Sequence, residues 1–451
     1  MSAVTLSPDD QQLAFARRTR TDEDDLIVAD SDGGGERILA TRKNAQFFVA
    51  AGAAWSPDGK LIAVPAGATA GRAPERGVAV FEVAGGKERP LGPQQWTEVN
   101  GLAWLPDGSG LIMAAYDSSS GQGVQLWELT YPGGEVRRIT NDFSNYGDAS
   151  VTADSNTLVT VRGELPSSVW IAPARDPAAG QRIASSSAAA DGWGGLAWTP
   201  DGRLIYYSTA SGNPDLWVVN ADGSHARPLA TGPGFKQNPS ACPDNRTVVF
   251  DSLLRGSGSI WRVEIDGGNL KQLTEGATGH DPVCSPDSKW VIFDSHRSGK
   301  WTLWKAPIDE GSPTQLTDYA SDSPTISPDG RWIACLYLPD PAITDERKIA
   351  MIPFEGGQPA KTIDFEPAMV PDLPDSRIKW TPDGRGLAYL DVRQGASNIW
   401  IQPPDGGPPK QLTHFGKGDD VLSFAWSRDG KQLAMARGTW VSDVVLISKS
   451  K

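Results

Sequence analysis

One tetrapeptide recurs along the whole chain. Ser7-Pro8-Asp9-Asp10, Ser56-Pro57-Asp58-Gly59, Leu105-Pro106-Asp107-Gly108, Thr152-Ala153-Asp154-Ser155 and Thr199-Pro200-Asp201-Gly202 align with one another. So do Cys242-Pro243-Asp244-Asn245, Ser285-Pro286-Asp287-Ser288, Ser327-Pro328-Asp329-Gly330, Thr381-Pro382-Asp383-Gly384 and Ser427-Arg428-Asp429-Gly430. From Asp to Asp the spacings are 49, 49, 47, 47, 43, 43, 42, 54 and 46 residues. Proline presets φ at the second position of a turn, Asp hydrogen-bonds its own backbone, and Gly accepts φ > 0. Short apolar runs flank the turn, as in Gly101-Leu102-Ala103-Trp104 before it and Leu111-Ile112-Met113 after it. Two such runs about a tight turn read as a β-hairpin.

A third run with an aromatic near its centre follows each hairpin, for example Leu126-Trp127-Glu128-Leu129, Leu216-Trp217-Val218-Val219 and Leu303-Trp304-Lys305-Ala306. Then come a Gly-rich turn, such as Asp266-Gly267-Gly268, and a short fourth run, such as Lys271-Gln272-Leu273-Thr274. With 49 Gly and 35 Pro spread through 451 residues, little room is left for long helices. Four strands per period of this length make an all-β chain: a β-propeller of about ten four-stranded blades. The spacings tighten after Asp201, the fourth tetrapeptide is degenerate, and an Ala/Ser-rich run, Ser185–Ala190, follows it. These features place a division near residue 190: four blades, as a ring or part-ring, in 1–190 and a six-bladed ring in 191–451. The chain opens on a first strand (Ala3 to Leu6) and stops after a third (Val444 to Ile447). By this count the last blade is short of a strand, or the chain is a piece of a longer array.

The pattern resembles the WD40-like PD40 repeats of TolB-type propellers, and the resemblance covers essentially the whole chain. Trp104-Leu105-Pro106-Asp107-Gly108-Ser109-Gly110-Leu111, Trp127-Glu128-Leu129-Thr130-Tyr131-Pro132-Gly133-Gly134-Glu135 and the ending Trp426–Ala434 with Ser442–Ile447 resemble a narrower group. They are similar to the C-terminal propeller region of bacterial receptor-like serine/threonine kinases. In that family a cytoplasmic kinase and a membrane helix precede the array; neither occurs here, so kinase activity does not carry over. What the resemblance implies is a six-bladed TolB-like ring and a sensing role on the extracytoplasmic side. The residues themselves leave the compartment open.

Formal net charge is −13 and no basic stripe is present, which excludes nucleic acid as a partner. No signal-peptide layout is seen, and the longest uncharged apolar-rich run, Phe47–Trp55, is far too short to cross a bilayer, so direct membrane insertion by this chain is not expected. Cys242, Cys284 and Cys335 are odd in number, widely spaced and free of CxxC, and read as small buried residues rather than a disulfide framework. No G-x-S-x-G elbow, H-E-x-x-H, EF-hand loop or P-loop occurs, so no catalytic residue, cofactor or metal site is expected. His225, His280, His296 and His414 read as loop or strand-end residues, although His280 and His296 stand in one blade and offer two groups toward a metal. Asp24-Asp25 and Asp419-Asp420 read as solvated acidic loops, with a glycosidase acid–base pair as the sharper alternative. The Trp series reads as blade packing, with carbohydrate stacking the alternative.

One set of residues points to a site. The connections entering the first strand of a blade carry a polar residue just before it: Asn238-Pro239, Asp281-Pro282, Ser323-Pro324 with Asp322, and Asp420-Val421. In a propeller these connections converge at the channel mouth. Recurrence at one phase would set Asn238, Asp281, Asp322 and Asp420 in a ring suited to a peptide terminus, small molecule or cation; the alternative is that they cap the strand. The sequence thus reads as a non-enzymatic module binding a protein, peptide or small ligand, with no cofactor. The alternatives are a glycan hydrolase or lyase with channel carboxylates, and a peptidase-associated propeller as in tricorn-like proteins.

Overall fold

A computed structural model describes residues 4–20, 23–44, 46–49, 52–68, 75–117, 123–184, 190–254, 257–274, 279–339, 347–365, 378–393 and 395–448. Among these the only helical element is one three-residue 3-10 turn, Pro177–Ala179; the rest of the regular structure is β. No helix among them is long and apolar enough to cross a membrane.

The tetrapeptides build the hairpins as their chemistry dictates. In all ten, the N–H of the fourth residue donates to the carbonyl of the first at 2.8–3.2 Å, and the fourth residue takes a φ between 57 and 84°. The Asp locks the turn from the side: Asp329 Oδ1 accepts from Ser327 Oγ at 2.6 Å and from the Arg331 N–H at 3.1 Å. The same two bonds recur at Asp58, Asp287, Asp383 and Asp429.

The chain forms two compact units, residues 165–440 and residues 1–164 with 441–451. The larger unit has six four-stranded antiparallel sheets among its described residues. Their inner strands are Leu196–Trp198, Phe235–Ala241, Gly279–Cys284, Ser321–Ile326, Lys379–Trp380 and Asp420–Trp426. Successive sheets touch in order and the sixth returns to the first, where Trp198 Nε1 donates to the Ala425 carbonyl at 3.1 Å. Both faces of a sheet are covered. In Trp290–Ser295, Val291 and Phe293 pack with Val249 and Ile260 of the sheet before, and Ile292 packs with Ile333 and Ile352 of the sheet after. Burial of such a side chain stabilises the fold by about 1.5–3 kcal/mol.

The ring closes in a way that the repeat order conceals. The sixth sheet runs Asp420–Trp426, Gln432–Gly438, Ser167–Pro173, Gln181–Ala184. Its outer half therefore comes from the third and fourth strands of the fourth repeat. The vacated place beside Thr157–Glu164 is taken by Val441–Ser448, which does not pair with its own hairpin. The chain passes between units at Glu164–Leu165 and Trp440–Val441, whereas the spacing argument divides it at residue 190. Strand exchange is the reason, because the spacing of turns records hairpins and carries nothing about which hairpin a third strand joins. Residues 185–189 of the Ala/Ser-rich run lie outside the described residues.

The cysteines differ from expectation as well. Cys242 and Cys284 form a disulfide with a Cα–Cα distance of 5.3 Å. They are 42 residues apart, one short of the local repeat of 43, and stand at the corresponding ends of adjacent inner strands, Cys242 just after Phe235–Ala241 and Cys284 at the end of Gly279–Cys284. Cys335 is free and buried.

Candidate binding channel

The polar residues singled out by phase lie at a shared irregularity. Register against the second strand breaks between Gln237 and Ser240, between His280 and Val283, and between Asp322 and Thr325. The residues left out of the ladder are Asn238-Pro239, Asp281-Pro282 and Ser323-Pro324. Proline has no N–H to give a ladder, so an X-Pro pair inside a strand favours a bulge. The residue ahead of it adopts a left-handed φ of 57, 51 and 54° in the three cases. Asn and Asp tolerate this region best.

The three bulges are bonded in series. The Asn238 N–H donates to the Gly194 carbonyl at 2.7 Å, and Asn238 Nδ2 donates to Asp281 Oδ1 at 2.9 Å. Asp281 Oδ2 accepts from Ser323 Oγ at 3.3 Å, and the Ser323 N–H donates to Asp294 Oδ2 at 3.2 Å. Asp294 is buried, and burial together with the nearby Asp281 charge holds its carboxyl well above the ordinary carboxylate range. Its Oδ1 and Asn238 Oδ1 have no hydrogen-bond partner among the described residues. For His280, burial works against protonation. The Asp251 carboxylate 3.6 Å away, helped by Asp294 and Asp281, outweighs it and raises the imidazole to about 9.

The inner strands of all six sheets line one cavity of about 420 Å³. Strand starts, with Gly195, Asn238 and Asp281, stand at one end. At the other stand the second positions of the six tetrapeptides: Pro200, Pro243, Pro286, Pro328, Pro382 and Arg428. Trp198, Trp380 and Trp426 sit beside them, and Lys379 lies on the wall with its Nζ donating to the Phe424 carbonyl at 2.6 Å. Among the described residues, one carboxylate and two cations are therefore the charged lining groups.

Of the four residues expected to share a pocket, Asn238 and Asp281 line this cavity; Asp322 and Asp420 do not. Asp322 faces Arg347 NH1 at 3.6 Å, and burial raises its carboxyl against that pairing. Asp420 Oδ1 accepts from the Ser397 N–H at 2.7 Å, which ties it to the neighbouring hairpin. The residue equivalent to Asn238 and Asp281 in the fourth sheet is Ser323, one position beyond Asp322. The sequence pattern marks Ser323-Pro324 at this phase, but the expected ring took the neighbouring carboxylate Asp322 instead; Arg428 was not expected at the site, although it is the one departure from Pro at its position in this unit. Asp24-Asp25 are not loop residues: they are buried in Glu23–Asp30, with Asp24 paired to Arg18 at 2.8 Å and Asp25 accepting from Thr41 Oγ1 at 2.6 Å. His280 and His296 each pack on Trp301, and no three-residue metal cluster occurs among the described residues.

A closed ring of six four-stranded sheets, five with a Pro-Asp turn between first and second strands and the sixth with Arg428-Asp429 in its place, is a β-propeller. Residues 175–363 match the family model described as the TolB β-propeller domain. That stretch, which lies within the six-sheet unit, is similar to the PD40 repeats of TolB-type propellers. It is 31% identical over 83 residues to an uncharacterised protein of Agrobacterium fabrum, a match covering 18% of this chain and 28% of that one. It is 27% identical over 218 residues to dipeptidyl-peptidase 5 of Porphyromonas gingivalis, covering 47% of this chain and 31% of that one. The solved structure of TolB from Acinetobacter baumannii is similar over 85% of this chain and 82% of its own, with 14% identity and a TM-score of 0.41. The chain spans less than a third of the length of either curated relative.

Proposed function

We propose that the six-sheet unit is a non-enzymatic, protein- or peptide-binding module whose channel seats its partner. The observation that carries the reading is the cavity of about 420 Å³, to which every sheet of the unit contributes and in which Asp281 is the one lining carboxylate among the described residues. A glycan hydrolase would require a facing pair of carboxylates. Asp281, fixed between Asn238 and Ser323, is the contact for a cationic group: an N-terminal amine, a basic side chain or a small cation. Arg428 at the opposite end suits an acidic one. The match to the TolB propeller domain supports a protein partner. The resemblance to receptor-like kinases supports a sensor role on the extracytoplasmic side. The Cys242–Cys284 disulfide agrees with an oxidising compartment.

The test is selection of a random phage-displayed peptide library on the immobilised protein, followed by calorimetry of the enriched peptides. Asn238→Ala with Asp281→Ala should weaken binding at least tenfold, about 1.4 kcal/mol, and leave folding intact. Enriched peptides that bind the variant equally well would overturn the assignment. The match to dipeptidyl-peptidase 5 over nearly half of this chain supports a second reading, a propeller that serves a peptidase. Under that reading the same channel admits peptide to an associated catalytic domain.

A further inference from the structure

Asp281 and Arg428 put opposite charges at the two ends of the channel. Asp281 stands at the level of the strand starts, Arg428 at the level of the tetrapeptides. These levels are five residues apart along the chain, as Asp281 and Pro286 are. A strand covers roughly 15 Å in that count, at about 3.3 Å per residue. The two charges also belong to the third and the sixth of six sheets, half-way round the ring from each other. Asp281 is held in place by accepting from Asn238 Nδ2 and Ser323 Oγ, and an ionised carboxylate has lone pairs for further donors. Arg428 is exposed and makes no hydrogen bond or ion pair among the described residues.

Between these ends the wall is small and nearly neutral. Two positions ahead of each tetrapeptide the six sheets present Ala197, Ser240, Val283, Thr325, Lys379 and Ala425 to the cavity. Five of the six are uncharged and no larger than Val. The exception, Lys379, donates to the Phe424 carbonyl and adds a second positive charge to the channel. Each inner strand pairs on one side only among the described strands, and an extended peptide adds to such strands through main-chain hydrogen bonds. A ligand matched to this channel has a cation at one end, an anion at the other and neutral hydrogen-bonding units between them. A long chain threaded through the ring would set neutral backbone, not its termini, against Asp281 and Arg428.

We infer that the ligand of this channel is a free oligopeptide of about four or five residues, with its N-terminal ammonium on Asp281 and its C-terminal carboxylate on Arg428. The assignment rests on the reading of the channel as a peptide site and adds the length and chemistry of the peptide. At about 3.3–3.6 Å per residue, four or five residues span roughly 15 Å. Arginine grips a carboxylate through two parallel N–H bonds, so the C-terminus is held in orientation as well as in place. The product of a peptide-hydrolysing reaction, with both ends free, is the class of molecule that fits.

Affinity selection in solution on the whole protein tests this. Random pentapeptide libraries with free, N-acetylated or C-amidated ends are offered in turn, and retained peptides are identified by mass spectrometry and measured by calorimetry. Peptides with free ends should be retained, and acetylation or amidation of the same peptide should each weaken binding by at least about tenfold. Arg428→Gln, at an exposed position, should bind the free acid and its amide alike, and Asp281→Asn should bind the free and the acetylated amine alike. Blocked peptides that bind as tightly as free ones would overturn the inference, and so would an Arg428→Gln protein that still prefers the free acid. If no pentapeptide is retained while phage-displayed peptides, whose C-termini are fused, do bind, the free oligopeptide is ruled out and the peptide-binding module stands. If neither kind binds, both are ruled out.

Discussion

Gly330 illustrates how much of the fold rests on single backbone conformations. Its φ is +72°, and a Cβ placed there would meet Pro286 Cγ at 3.4 Å, an ordinary contact. The cost of a side chain at this position is therefore conformational rather than steric crowding. Asp10, Ser155, Asn245 and Ser288 occupy the equivalent turn position with φ of 57–59°, so short polar residues endure it; β-branched ones do not. Gly330→Val should destabilise the protein by about 1 kcal/mol or more, read as a fall of roughly 2–4 °C in melting temperature by calorimetry. An unchanged melting point would count against the turn's conformation. His280 provides a second residue-level outcome. Its raised value of about 9, against 6.5 for an ordinary histidine, means that the charged form is stabilised by folding. That contribution is complete below pH 6.5 and disappears as pH climbs through about 9. The stability gap between wild type and His280→Gln should narrow over this window; a gap independent of pH would contradict the pairing with Asp251. The same scale shows where the sequence was legible in the site and where it was not. Asn238 and Asp281 stand out because an X-Pro pair within a strand marks a bulge. Asp322 misleads because it stands one position before the bulge, in register with Gln237 and His280, while the X-Pro phase of the bulge falls on Ser323, which carries no carboxylate.

At the scale of the element, the Pro-Asp turn is the part of this protein most openly written in its sequence. Everything it needs lies within six residues: a hydroxyl to donate, a carboxylate to receive it, and a fourth residue able to turn left. The carboxylates of Asp9, Asp58, Asp329 and Asp429 are held below the usual range, first by the hydroxyl of the turn's own Ser and then by a backbone N–H. A depressed value contributes stability above the unfolded pKa of about 3.9 and loses it as pH falls through the folded one. Acid should therefore lower the melting temperature steeply below about pH 4. In a variant carrying Asp58→Asn, Asp329→Asn and Asp429→Asn the acid limb should be shallower, since the amide keeps an acceptor but no longer titrates. Parallel acid limbs would show that other carboxylates govern the transition. The third strand of a repeat lacks such local determinants: an apolar run with a central Trp suits any second strand it meets.

Ring closure belongs to the whole molecule, which is why the order of repeats did not disclose it. Ser167–Pro173 follows Thr157–Glu164 after two residues and looks like its hairpin partner, yet it pairs with Gln432–Gly438, more than half the chain away. Val441–Ser448 makes the reciprocal choice with Thr157–Glu164. The six-sheet ring is thus locked by strands that precede its own first sheet, and these bring Val169, Ile171 and Ala172 into the buried core between sheets. A fragment spanning residues 165–440 contains every strand of the ring, whereas one spanning 191–440, the division that turn spacing suggests, lacks the outer half of the sixth sheet. Val169 and Ile171 are each worth about 1.5–3 kcal/mol on burial, and their loss also exposes the far edge of Gln432–Gly438. The shorter fragment should melt on the order of 10 °C lower than the longer one, and protease should reach it first at the sixth sheet. Equal melting temperatures would mean that residues 165–190 are an appendage and that the ring holds without them.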